Sequence, residues 1–434
     1  MGQRERMIVL KTILSFILIS LTISVSGKTI YVGGNSEIKS IAEGVRIAAP
    51  GDTIIIRKGG YRPGNIIIEK SLTIIGEGMP VLNGENKFEI FTIHAHHVTI
   101  KGLKFVDTGV SSINDIAGIK VLDSKFVKIL NNEFHNNFFA IHVSNSSDLR
   151  VENNLLTAEE IPQHQVGNGI HLWKCDHVTI SNNKVSNHRD GIYFEFVTNS
   201  LIEHNESFKN IRYGLHFMFS HNNEYRSNLF KENGAGVAVM YTTGVKMIDN
   251  IFEKNWGASA YGLLLKDIRD SEVRGNIFEA NSVGIHMEGS SRIQFTSNAF
   301  HQNGYAIRLQ ASCDGNTFSG NNFSANTFDI ATNGSLVLNQ LESNYWDKYE
   351  GYDLDKNNIG DVPYHPVSMY SMVVEQMPTA VLLWRSFLVF LLDRAEKAIP
   401  AMTPENLKDA TPLMKPYDLS NKREQVVWKT ARAR

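Results

Sequence analysis

Residues 228–237 read Asn228-Leu229-Phe230-Lys231-Glu232-Asn233-Gly234-Ala235-Gly236-Val237. The frame returns as Asn250-Ile251-Phe252-Glu253-Lys254-Asn255 and again as Asn276-Ile277-Phe278-Glu279-Ala280-Asn281. Followed outward, the leading asparagine recurs at Asn132, Asn154, Asn183, Asn205 and Asn298, in steps of 22 to 29 residues. A second asparagine trails it by four or five residues, at Asn137, Asn187, Asn210 and Asn303. A third mark, a small residue before an aliphatic one, keeps the same step: Gly118-Ile119, Ala140-Ile141, Gly169-Ile170, Gly191-Ile192, Gly214-Leu215, Gly262-Leu263, Gly284-Ile285, Ala306-Ile307. Self-similarity at a fixed period marks a repeat architecture.

Between the marks apolar and polar residues alternate, as in Val178-Thr179-Ile180, the period of a half-buried strand. Asn and Gly supply the bends, because both tolerate left-handed backbone and Asn can bond the chain at a turn. A coil of about 22 residues cannot enclose a core alone, so coils must stack. This predicts an all-β chain, a right-handed parallel β-helix of the pectin-lyase-like solenoid kind. Earlier runs such as Asp52-Thr53-Ile54-Ile55-Ile56 and Leu72-Thr73-Ile74-Ile75 extend it toward the N-terminus. Ile38, Ile41, Val45 and Ala48 lie at helical spacing and predict a capping helix over 36–49, covering strand edges that would otherwise invite aggregation.

The segments read as 1–26 signal peptide, 27–50 N-terminal strand and capping helix, 51–343 β-helix, 344–370 closing loops, and 371–434 apolar helix and extended arm. Arg4, Arg6 and Lys11 precede the short apolar run Ile13 to Ile23, and Ser24-Val25-Ser26 offers a cleavage site for export. With 43 basic against 45 acidic residues, the chain is no broadly cationic nucleic-acid binder. Its two cysteines, Cys175 and Cys313, fall six coils apart, about 29 Å, and are expected as free thiols.

Register turns the repeat into a surface. One outward column reads His142, His171, Tyr193, His216, Ala238, Leu264, His286, Arg308. Its neighbour reads Ser144, Trp173, Glu195, Met218, Met240, Lys266, Glu288. Met218 and Met240 fall on successive coils with His216 beside them, and His171 and His286 extend the column. Two thioethers and an imidazole suit soft, exchangeable Cu(I) better than Mg or Ca; packing under a loop is the ordinary alternative for such methionines. A polysaccharide-active or carbohydrate-binding β-helix is the rival function, but it needs clustered acids. His188-Arg189-Asp190 is its best catalytic candidate, or else a turn cap.

Asp353, Asp355, Asn357 and Asp361 place oxygens like the start of a calcium loop, without the closing glutamate of an EF-hand; a polar turn closing the last coil reads equally well. Thr379 to Ile399 reads as one helix, apolar nearly all round through Trp384, Phe387, Leu388 and Leu391, but too short and interrupted to span a bilayer. It lies in a membrane interface, docks in a partner's groove, or packs on the β-helix end.

Four stretches carry a family resemblance: Gly169-Ile170-His171-Leu172-Trp173-Lys174, Arg189-Asp190-Gly191-Ile192-Tyr193-Phe194, Arg212-Tyr213-Gly214-Leu215-His216-Phe217-Met218 and Gly236-Val237-Ala238-Val239-Met240-Tyr241. With Asn344-Tyr345-Trp346-Asp347 and Gly360-Asp361-Val362-Pro363-Tyr364, the chain from about residue 28 to 395 resembles the NosD family, periplasmic maturation proteins of nitrous-oxide reductase. The resemblance implies a non-enzymatic role. Copper would be accepted from a small lipoprotein chaperone and passed toward the reductase's copper centre, with the protein docked on the permease of an ABC-type complex driven by ATPase subunits. It gives the 379–399 helix a partner and implies a periplasmic protein that is membrane-associated through that helix. Trp173 and Tyr193 become candidate partner contacts.

Overall fold

The computed structural model describes residues 27–111, 113–159, 165–257, 259–334, 338–398 and 407–418. The signal-peptide segment and most of the C-terminal arm lie outside the described residues. Three parallel sheets, of 14, 12 and 13 strands among these residues, are visited in rotation, so each strand pairs with its counterparts one coil before and one coil after. This is the parallel β-helix that the repeat predicts.

The asparagine ladder explains the step. Asn228 donates through both its backbone N–H and its Nδ2 to Asn250 Oδ1, each at 3.0 Å, while Asn250 Nδ2 donates to the Tyr225 carbonyl at 2.9 Å. The pattern runs unbroken from Asn132 to Asn344. A second ladder climbs through Asn210, Asn233, Asn255, Asn281 and Asn303. Here the residue that meets Asn210 is His188, not Asn187; Asn187 occupies the left-handed turn instead. Inside, Phe230, Phe252, Phe278, Phe300, Phe323 and Trp346 stack coil on coil at centroid distances of 4.1 to 5.6 Å. The small residue of the third mark is a matter of space, because a Cβ at Gly214 would stand 2.7 Å from the Gly236 carbonyl oxygen of the next coil.

A helix, α1 (Ile41–Ile47), shorter than predicted, buries Ile41 and Val45 on the first coil, while Ile38 bridges to Val32 instead of joining it. The two cysteines are buried and free. Cys175 occupies a turn position that is serine in neighbouring coils. Its thiol donates to the Trp173 carbonyl as Ser146 does to Ser144 and Ser220 to Met218, and burial pushes it up to about 12.

At the far end the coils continue through Trp346, and residues 407–418 close them. Asp409, fully buried, accepts from the Asn344 N–H and Nδ2 at 2.9 and 3.0 Å and from Trp346 Nε1 at 3.1 Å. One carboxylate thus terminates both the ladder and the ring stack. Two helices follow the last coils in sequence. The first, α2 (Met369–Gln376), is capped by Ser368 and tied to the sheet by Arg308–Glu375 at 2.8 Å. The predicted continuous helix over 379–399 is broken into a 3-10 turn, Pro378–Leu383, and α3 (Phe387–Ala398). The break serves two contacts. Trp384 packs against Phe328 and Tyr370, with Arg385 left-handed after it (φ 64°), and Ser386 Oγ then caps the new helix by accepting from Val389 N–H. Among the described residues no helix is long and apolar enough to cross a membrane.

Candidate functional site

Both outward columns stand on the 12-stranded sheet in the predicted register. His142, His171, Tyr193, His216, Ala238, Leu264, His286 and Arg308 are successive Cα partners, as are Ser144, Trp173, Glu195, Met218, Met240, Lys266 and Glu288. Met218 and Met240 are therefore vertical neighbours, about 4.8 Å apart at the backbone. The Met218 sulfur lies 3.5 Å from Tyr193 Oη, on the outer face, and both methionines are half-buried.

The wall is far drier than outward-pointing histidines suggest. His142, His216 and His286 are each less than 9% exposed. The rings cover one another: His142–His171 at 5.0 Å, His171–Tyr193 at 4.7 Å, Tyr193–His216 at 5.0 Å and Tyr213–His216 at 4.7 Å. Burial disfavours the charged imidazole and pulls His142 and His286 down to about 4 and His171 to about 3. Those three imidazoles are therefore neutral at pH 7. Burial pushes the Tyr193 hydroxyl up to about 12, aided by Glu195.

Distance sorts the copper candidates. His216, Met218 and Met240 share two adjacent strands. His171 lies two strands from His216, about 10 Å, and His286 three strands, about 14 Å, so neither shares one ion with it. Among the described residues no group of three or more His, Cys, Asp and Glu side chains is gathered to hold a metal.

The candidate calcium donors are engaged within their own loop. Asp353 accepts from the Asn357 and Asn358 N–H groups, Asp355 from Asn357, and Asp361 from Leu354, while Asn357 Oδ1 accepts from Ile359. These are oxygens closing their own turns, which is the polar-turn alternative. His188-Arg189-Asp190 is divided in the same way. His188 is fully buried in the inner ladder, whereas Asp190 begins strand Asp190–Glu195, paired with Tyr213.

Asp190 and Tyr213 belong to the site, and alternation alone misses them. Each precedes a Gly–aliphatic mark, where the chain bends, and each reaches His216. A further stripe was also unanticipated. Phe196, Phe219 and Tyr241, directly after Glu195, Met218 and Met240, are exposed and stack at 5.3 and 5.0 Å. All three stand in left-handed turns (φ 55°, 49° and 55°), where bulky residues cost about 1 kcal/mol or more each. At the other end Trp384, Phe387, Leu388 and Leu391 are exposed along the 3-10 turn and α3, and Trp384 alone of them is pinned to the β-helix. Trp173 is half-exposed, with the Lys174 ammonium 4.1 Å from its ring centre.

Residues 157–364 match the family described as periplasmic copper-binding protein (NosD). The matched segment is just under half of the chain. It spans the wall from His171 to Arg308. A Pseudomonas aeruginosa protein named "Probable ABC transporter binding protein NosD" is 33% identical over 72 residues, which is 17% of each chain. Among solved structures, the catalytic unit of a GH87 α-1,3-glucanase from Streptomyces thermodiastaticus superposes with TM-score 0.56 at 14% identity, over 70% of this chain and 65% of that one. PfbA, a surface adhesin of Streptococcus pneumoniae, gives 0.50 at 12%, over 68% and 87%. At such identities these two likenesses show the shared β-helix fold alone.

Proposed function

We propose that this protein is NosD-like, a periplasmic, non-enzymatic accessory factor that holds Cu(I) transiently at His216, Met218 and Met240 and releases it toward the copper centre of nitrous-oxide reductase. The observation that carries the reading is the pairing of two outward methionines on adjacent strands beside a buried imidazole, inside the segment that matches a copper-binding family. Thioethers select Cu(I) over harder ions, and the lack of a thiolate keeps the site exchangeable.

The strained aromatic stripe beside the methionines supports docking of a copper donor, a small lipoprotein chaperone, against the same wall. Its rings cover each other's faces and expose their edges, which suits apolar side chains better than the flat face of a sugar ring. The exposed residues of α3 support docking on a membrane permease, whose ATPase subunits would drive the cycle, and would hold the protein at the membrane. Competition of the purified protein with a chromophoric Cu(I) chelator tests the reading. One tight equivalent is expected, lost in the H216A/M218A/M240A variant; unchanged affinity in that variant ends it.

A further inference from the structure

Asp190 is the most anomalous group on the outer wall. Its carboxylate is fully buried, yet neither oxygen accepts a hydrogen bond among the described residues. Buried polar groups are normally satisfied, and a buried carboxylate is the costliest to leave bare. Its oxygens approach two basic side chains, with His216 Nδ1 3.5 Å from Oδ2 and Arg212 Nε 3.9 Å from Oδ1. The Arg212 guanidinium lies 5.2 Å from the Tyr213 ring centre and is partly exposed, so it is not committed to the carboxylate. His216 is itself buried with neither ring nitrogen bonded, clamped between Tyr193 and Tyr213.

We infer that Asp190 is the positioning residue of His216: it accepts the Nδ1 proton, fixes the tautomer, and leaves the Nε2 lone pair bare for the soft cation shared with Met218 and Met240. The inference rests on the function proposed above and adds the part that sets the imidazole. A carboxylate oxygen is an acceptor, so the inference puts the proton on the nitrogen that faces it at 3.5 Å. A closing movement of a few tenths of an ångström converts 3.5 Å into a hydrogen bond, as happens when a loose site tightens on its ligand. The carboxylate then also raises the basicity of the ligating nitrogen. His171 serves as an internal contrast. The side-chain amide of Asn168, not a carboxylate, faces His171 Nδ1 at 3.0 Å, so no acid sets that ring.

The test has two arms. In the full protein with ring-15N histidine, and with H216A to assign the signal, His216 is expected as the Nδ1–H tautomer; the isosteric D190N should mix or reverse it. A wild-type His216 protonated at Nε2, or a signal indifferent to D190N, overturns the inference. In the second arm Cu(I) competition should show D190N weakened roughly 10- to 100-fold, D190E partly restored, and D190N without effect once His216 is already alanine. An undiminished D190N effect in the H216A background also overturns it. A wild type that binds no Cu(I) but shows the expected tautomer defeats the copper reading and leaves the Asp190–His216 pair standing.

Discussion

The inside and the outside of the same coils obey different rules. Within, position repeats chemistry: every asparagine from Asn132 to Asn344 meets its counterpart, and the last meets Asp409. Outside, on the 12-stranded sheet, no single residue runs the length of a column, and the buried polar atoms of His142, Asp190, His216 and His286 include several without partners. The stack tolerates this wall because the ladders, not the wall, hold the coils in register. Repetition therefore builds the scaffold, and the departures from repetition gather on the outer wall.

Acid should separate the two regions most strongly. The ladder amides do not titrate, but His142, His171 and His286 on the wall are held at about 3 to 4 by burial. The unfolded chain, whose histidines titrate near 6.5, binds more protons in this window, so stability falls as pH drops from about 6.5 toward 4. Each imidazole contributes a loss of about 2 kcal/mol by pH 5, offset in part by the buried Asp329, whose raised carboxyl favours the folded state in acid. Thermal melting should therefore give a clearly lower Tm at pH 5 than at pH 7.5; equal values would show that the wall is wetter than described.

Next in size is the ladder itself. Asn250→Ala strands the Asn228 N–H and Nδ2 and the Tyr225 carbonyl in the interior, a cost of about 3–5 kcal/mol. Denaturant unfolding of the variant checks this, and a loss under about 1 kcal/mol would mean that the ladder is dispensable. Asp409→Asn keeps an acceptor for Asn344 and Trp346 but removes the charge and turns an NH2 toward the Ser343 and Thr411 N–H groups that Oδ1 accepts from, so about 2 kcal/mol is expected, with a larger loss for Asp409→Ala. Equal losses from the two would show that the strap is held by packing alone. The smallest structural effect belongs to the wall: Met218→Leu should cost under about 1.5 kcal/mol while weakening Cu(I) binding at least tenfold. A variant that binds copper as tightly as wild type would assign Met218 to packing.

The legibility of the chain follows the same division. Strands, register, both ladders and the outward columns could be read because one step governs them, and the free cysteines followed from the count. The sequence is silent where the period is broken. Asp190 and Tyr213 sit at a bend where alternation changes phase. The break at Arg385 depends on Trp384 reaching Phe328, some 56 residues earlier. Asp409 enters the ladder from a segment with no repeat of its own. Dryness of the wall was equally hidden, since alternation reports direction but not what covers a side chain.

The central claim is that the two sulfurs side by side on the outer wall are ligands. X-ray absorption at the copper edge of the Cu(I)-loaded protein tests it most directly. A shell containing sulfur and nitrogen, with the sulfur scattering lost in M218A/M240A, is the predicted result. A shell of nitrogen and oxygen alone, or sulfur scattering that survives that double variant, would contradict it.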